Sequence, residues 1–219
     1  MFKYETHMHT SPVSWCAKNT PAEHVRAYSS KGYTGVIVTD HFVIEDLSDA
    51  NRHGWETRVR FLYSGYESAK LEGDKCGLDV FFGWEICLDG RDFLTYGLNL
   101  DFLLKHNDLD LLTVKEYSNL VRTNGGVIVE AHPFRYERQT MPAPDTIDAV
   151  EVYNAAMPSA VNKKAFEYAK LHNLTMLSGS DSHSVDLSFA SGILLKKKVV
   201  SIDCFVKEIV SGQASLVLP

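Results

Sequence analysis

The 219-residue sequence contains no apolar run long enough to cross a membrane. Its longest, such as Gly35 to Val38 and Val127 to Val129, are strand-length, against the ~20 residues a membrane helix needs. It opens Met-Phe-Lys-Tyr-Glu, without the apolar region of a secretory leader. Its four cysteines, Cys16, Cys76, Cys87 and Cys204, are scattered and form no CxxC pair. These absences predict a reduced, cytoplasmic setting and no membrane partner. Long runs of like charge and basic stripes are missing too, and 22 basic against 28 acidic residues leave a net charge of −6. Duplex nucleic acid is therefore not an expected partner. An acidic chain can still act on a phosphorylated substrate if bound metal ions supply the positive charge that its side chains do not. No internal repeat, low-complexity tract or Pro/Ser-rich linker marks a boundary. With 45% hydrophobic and 11% aromatic residues, the chain has enough apolar material for one core, and residues 1–219 are expected to form a single domain.

What is present is an α/β rhythm. Strands are predicted from about Lys3 to His9, Thr34 to Thr39, Leu78 to Ile86, Phe93 to Leu98, Val127 to Ala131, Ala149 to Tyr153 and Leu174 to Ser178. Thr20-Pro21-Ala22-Glu23 and Thr113-Val114-Lys115-Glu116 carry capping-box signatures that open helices. Further helices are expected from Asn51 to Leu71 and from Ser159 to His172. The tail adds a strand near Ile193, a helix near Cys204 to Val210 and a strand at Ser215 to Leu218. Such alternation suits an open parallel sheet or a closed β/α barrel. The polar residues favour the barrel, because they gather at strand C-terminal ends, where barrel enzymes keep their sites.

In His7-Met8-His9 the two imidazoles lie two apart on a strand and project from one face, so both can reach one ion, while Met8 points into packing. Asp181-Ser182-His183 repeats this geometry after the strand at Leu174 to Ser178, although Gly-Ser-Asp-Ser is also turn chemistry. His41 follows the second strand as a candidate ligand, with Asp40 as its support. Glu85 ends a run so apolar that a carboxylate there needs a metal or a partner. His132 follows the fifth strand in the same manner. Singly, each of these fits a satisfied core residue or a polar face; together they form a pattern, with five of the nine histidines just past apolar strands. His24, His53, His106 and His172 read as surface residues. Arg135 is placed to fork a phosphate, or to stand as a solvated surface residue.

His7-x-His9, Thr39-Asp40-His41, Gly83-Trp84-Glu85, Ala131-His132-Pro133 and Gly179-Ser180-Asp181-Ser182-His183 resemble, in order, the motifs of the PHP family of polymerase-associated domains and histidinol phosphatases. The resemblance implies a distorted seven-stranded β/α barrel with two or three divalent metals (Zn, Mn or Fe) at its mouth. The activity it implies is phosphoester hydrolysis of a small phosphorylated substrate or a short oligonucleotide. Carried over residue by residue, it puts one metal on His7, His9, Glu85 and Asp181, a second on Glu85 and His132, and a third on His41 and His183. For such chemistry Glu85, Asp181 and His183 are the catalytic candidates, with His183, His132 or Asp181 able to protonate the leaving oxygen, and Arg135, three residues past His132, is the candidate substrate contact. The chain departs from the fullest pattern at two places. Ser14-Trp15-Cys16 stands where a further His or Asp is common, and Phe93-Leu94-Thr95-Tyr96 offers no His on the fourth strand. Cys16 or Cys87 could fill such a gap. The alternatives are an amidohydrolase-type barrel, which needs neither His41 nor His183, and a metal-binding module without turnover.

Overall fold

The computed structural model describes residues 1–42, 54–136 and 143–218. Its strands are β1 (Phe2–Met8), β2 (Gly35–Val38), β3 (Asp79–Leu88), β4 (Arg91–Tyr96), β5 (Val127–Glu130), β6 (Ala149–Asn154), β7 (Thr175–Gly179), β8 (Gly192–Leu195) and β9 (Ser215–Val217). The helices are α1 (Pro21–Ser30), α2 (Trp55–Cys76), α3 (Leu100–Lys105), α4 (Val114–Thr123), α5 (Ser159–Leu171) and α6 (Ile202–Val210). Both capping boxes form: the Thr20 and Thr113 side chains accept from the amides of Glu23 and Glu116, whose carboxylates bond back to the cap amides. The expected start of the second helix, Asn51 to His53, lies outside the described residues. Helix α3 went unpredicted from sequence.

The described strands form one sheet in the order β7-β6-β5-β4-β3-β2-β1-β8-β9, nine strands where the family resemblance implied a barrel of seven. It curls until it nearly closes. Past the end of β7, Ser182 pairs with Met8, with the His9 amide donating to the Ser182 carbonyl at 3.0 Å and the Ser182 amide to the His7 carbonyl at 3.3 Å. At the other end of β1, β8 pairs with residues 2–4 in antiparallel fashion and carries β9 on its far side. Tyr4, Ile37, Leu94, Tyr96, Val129, Ala149 and Leu177 share one buried cluster with Phe205 and Ile209 of α6. A second cluster, built on Trp55, Trp84, Phe102 and Tyr117, packs the outer face of β3 against α2, α3 and α4.

Besides β8, strand β4 runs against the barrel rule. Asp89 and Gly90 both have positive φ (52° and 71°), and this tight turn makes β4 antiparallel to β3 and to β5. The start of β4, at Arg91 and Asp92, therefore lies at the mouth where the other strands end.

Candidate metal centre

β1 carries a bulge between Glu5 and Met8, which shifts the phase of its side chains. Tyr4 packs with the cluster that includes α6, whereas Met8 packs outward with Val25 and Tyr28 of α1, leaving His7 and His9 to face the mouth. Glu5 stabilises the bulge: its Oε1 accepts the amides of Thr6 and His7 at 2.9 and 2.8 Å. The same carboxylate accepts from the Ser180 amide at 2.9 Å, the Tyr28 hydroxyl at 2.8 Å and the Ser180 hydroxyl. One buried acid thus ties β1, α1 and the loop after β7 together. Burial raises its pKa to about 6 in spite of these donors.

The seven residues singled out in the sequence converge at the mouth. His7 Nδ1 lies 3.0 Å from Glu151 Oε1, and His9 Nδ1 lies 3.3 Å from Ser14 Oγ, which itself donates to Asp40 at 2.7 Å. Those acceptors hold the ring protons on Nδ1 and leave lone pairs on both Nε2 atoms. The two Nε2 atoms stand 3.0 Å apart. His7 Nε2 is 3.5 Å from both Glu85 Oε1 and Asp181 Oδ1, and His9 Nε2 is 3.4 Å from Glu85 Oε2 and 3.2 Å from Asp181 Oδ1. His132 Nε2 is 3.1 Å from Glu85 Oε1. His41 Nδ1 comes within 2.7 Å of Glu85 Oε2, yet this oxygen has no aligned hydrogen bond among the described residues. Lone pairs facing lone pairs and carboxylates call for a cation between them, and the donor set of imidazoles and carboxylates suits a divalent ion.

The ligand atoms fall into four groups, each within 4.8 Å: His7, His9 and Glu85; His7, His132 and Asp181; His9, His41 and His183; and Glu85, Asp92 and His132. Three of these groups contain the expected partners, His7 with His9 and Glu85, Glu85 with His132, and His41 with His183, each with a change of company. His9 joins His41 and His183, and Asp181 groups with His7 and His132. Asp92, on the fourth strand, groups with Glu85 and His132. Residues 93–96 offer no His, and it is the antiparallel direction of β4 that brings Asp92, at its start, to the mouth.

The electrostatics state the same demand. Burial acts to lower the pKa of His7, but Asp181, Glu151 and Glu85 together hold it well above the usual imidazole value. His132 is raised to about 9, where its contact with Glu85 outweighs burial. Burial drives His9 down to about 3, so that ring is neutral. Burial would raise Glu85 and Asp181, yet His7 and its neighbouring imidazoles hold both well below the ordinary carboxylate range. Two ligand positions are also conformationally unusual: His132 and Asp181 have φ of 29° and 51°. Positive φ is uncommon outside glycine and concentrates at functional sites.

Glu151 and Ser14 are supports that the sequence does not mark. Glu151 accepts His7 Nδ1–H and also the His132 amide at 2.9 Å and Asn154 Nδ2 at 2.8 Å. Asp40, expected as support for His41, accepts the Thr10 amide at 2.5 Å and the Ser14 hydroxyl, and Ser14 Oγ in turn accepts the His41 amide at 3.0 Å. One expectation was wrong: His24 is fully buried, not a surface residue. His172 is exposed and His106 half-buried against Phe102, while His53 lies outside the described residues.

The centre forms the floor of a cavity of about 720 Å³. Arg135 lines it, as do Trp15, Tyr136, Cys16 and Cys87. Neither thiol belongs to a ligand group among the described residues. Cys87 sits directly across from Asp92 in the β3–β4 ladder, and burial, with Asp92 beside it, pushes its thiol up to about 12.

No family model and no curated protein matches the chain. Solved structures do. A two-domain protein from Bacteroides vulgatus, described as containing a predicted PHP-like metal-dependent phosphoesterase, superposes with a TM-score of 0.72 at 17% identity over 99% of this chain. The chain spans 64% of that protein. A candidate metal-dependent phosphoesterase from Bifidobacterium adolescentis matches with a TM-score of 0.58 at 17% identity, over 98% of this chain and 97% of that one. An amidohydrolase from Chromobacterium violaceum, with bound sulfate and no metal, matches with a TM-score of 0.65 at 12% identity, over 99% of this chain and 98% of that one. The chain has the fold of PHP-like metal-dependent phosphoesterases.

Proposed function

We propose that this protein hydrolyses a phosphoester at a centre of two or three divalent ions (Zn, Mn or Fe). His7, His9, His41, Glu85, His132, Asp181 and His183 would hold them, with Asp92 added. The observation that carries this reading is the place of Glu85: its Oε1 lies 3.1 Å from His132 Nε2 and its Oε2 3.4 Å from His9 Nε2 and 2.7 Å from His41 Nδ1, so one carboxylate can bridge two ions, as a multinuclear centre requires. Bound divalent ions there would supply an activated water and neutralise the charge of the phosphoryl oxygens.

The chain's own residues do the rest. Glu151 and Ser14 fix the tautomers of His7 and His9. Arg135, exposed on the cavity wall, carries the planar fork that fits two phosphate oxygens. Of the groups able to return a proton to the leaving oxygen, His183 is the most accessible, its side chain 30% exposed against 2% for His132 and 5% for Asp181. His41 and His183, which an amidohydrolase-type site does not need, stand with His9 in one ligand group, and this favours phosphoester over amide chemistry.

The test is a panel of phosphomonoesters, phosphodiesters and amides offered to protein stripped with chelator and reloaded with Mn²⁺, Zn²⁺ or Fe²⁺. Phosphoester cleavage lost on chelation and restored by metal is the expected result. Activity that survives exhaustive chelation overturns the reading, and tight metal binding without turnover would make the protein a binding module.

A further inference from the structure

The metal centre occupies only the floor of its cavity, whose volume of about 720 Å³ falls in the range of ~300–1,000 Å³ typical for whole small ligands. What stands around the rim bears on the part of the substrate that is not phosphate. Trp15 lines the cavity with 81% of its surface exposed. The other two tryptophans are buried and hydrogen-bonded, Trp55 Nε1 to the Leu103 carbonyl at 2.7 Å and Trp84 Nε1 to the Tyr117 hydroxyl at 2.9 Å. An indole left in water forfeits the apolar burial that is its main contribution to stability.

The segment that carries Trp15 is anchored to the metal centre. The amide of its neighbour Ser14 donates to the Thr10 carbonyl at 2.8 Å, and the Ala17 amide donates to the Ser14 carbonyl at 3.0 Å. The Ser14 hydroxyl meets Asp40, His9 and the His41 amide. The indole therefore projects from a segment fixed by the same bonds that fix the ligands. Tyr136, 55% exposed, lines the same cavity, with the Arg135 guanidinium 5.5 Å from its ring centre. Indole, phenol and guanidinium planes are the surfaces on which flat heterocycles stack.

We propose that the phosphoester carries a flat heteroaromatic ring of the nucleobase kind on its alcohol side, and that Trp15 selects it by stacking. This rests on the phosphoesterase reading above. Ring stacking on an aromatic side chain is worth ~1–3 kcal/mol by alanine substitution, or roughly a 5- to 150-fold effect.

The matched probes are adenosine 5′-monophosphate and ribose 5-phosphate, which share the ester and differ by the base. Metal-loaded wild type should prefer the first in kcat/KM, and Trp15→Ala should cut that preference roughly 5- to 150-fold, with Trp15→Phe restoring most of it. In chelated protein, where no turnover occurs, adenosine 5′-monophosphate should quench the tryptophan emission, ribose 5-phosphate should not, and Trp15→Ala should abolish the quench. Equal losses on both probes, or a quench unchanged in Trp15→Ala, overturn the proposal. If metal-loaded wild type cleaves neither probe nor any other phosphoester, the phosphoesterase reading fails, while the quench still decides whether Trp15 binds a ring.

Discussion

Glu151 Oε1 accepts from His7 Nδ1 at 3.0 Å while its Oε2 accepts the His132 amide at 2.9 Å, so one buried carboxylate from β6 orients two ligands from β1 and the end of β5. Carboxylates behind metal-binding imidazoles fix ring orientation and tautomer, and their loss typically costs ~10–100-fold in metal affinity. Glu151→Gln keeps the shape but can turn an amide N–H toward His7 Nδ1. Metal titration of this variant should show affinity lowered by that factor with far-ultraviolet circular dichroism unchanged. Wild-type affinity in Glu151→Gln would remove Glu151 from the account.

Asp92 gives a second test, directed at the group Glu85, Asp92 and His132. Asp92→Ala leaves that group with two ligands and should lower the metal content per chain, whereas His9, His41 and His183 keep their full set. Elemental analysis of both proteins after identical dialysis measures the difference. Equal metal content would show that Asp92 only lines the cavity.

The two misreadings show what local sequence withholds. The seven residues that cluster at the mouth were legible because apolar strands end where polar residues begin, and because a spacing of two on a strand puts side chains on one face. Asp92 was not, since strand direction is a property of the sheet. The clue was nonetheless present: Asp89-Gly90 is a hairpin dipeptide, and reversing β4 carries Asp92 to the mouth. His24 lies with Pro21, Val25 and Tyr28 on the buried stripe of α1, a spacing of three, four and seven that marks a core face. Glu5 and Glu151 bond to groups from other segments, 175 residues apart for Glu5 and Ser180 and 144 for Glu151 and His7, and no local pattern links such pairs.

His24 leads to a prediction about stability. Neither of its ring nitrogens has a hydrogen-bond partner among the described residues, and burial lowers its pKa to about 4 from an ordinary 6.5. The depressed value means that the unfolded chain takes up the proton first as pH falls. Above about 6.5 the group costs nothing; between 6.5 and 4 stability drains away, by at most ~1.4 kcal/mol per pH unit. His24→Leu should reduce the loss of stability between pH 7.5 and pH 5 by up to about 2 kcal/mol. Chemical denaturation at the two values measures it, and an identical pH dependence in variant and wild type would mean that His24 titrates normally.

The last prediction concerns Cys16, which lines the cavity at a place where the motif pattern leaves room for one more ligand. The geometry gives the neighbouring group three imidazoles without it, since His9 joins His41 and His183. Three protein groups with an open position suit an ion that also binds substrate. Cys16→Ala should therefore keep the metal content of wild type, while His41→Ala should lose part of it. Inorganic phosphate should raise the occupancy of His41→Ala by lending oxygens to the depleted group. Elemental analysis of the three proteins, with and without phosphate, separates the cases. Loss of metal from Cys16→Ala would make the thiolate a ligand after all, and metal content unchanged in His41→Ala would place the ions away from that imidazole.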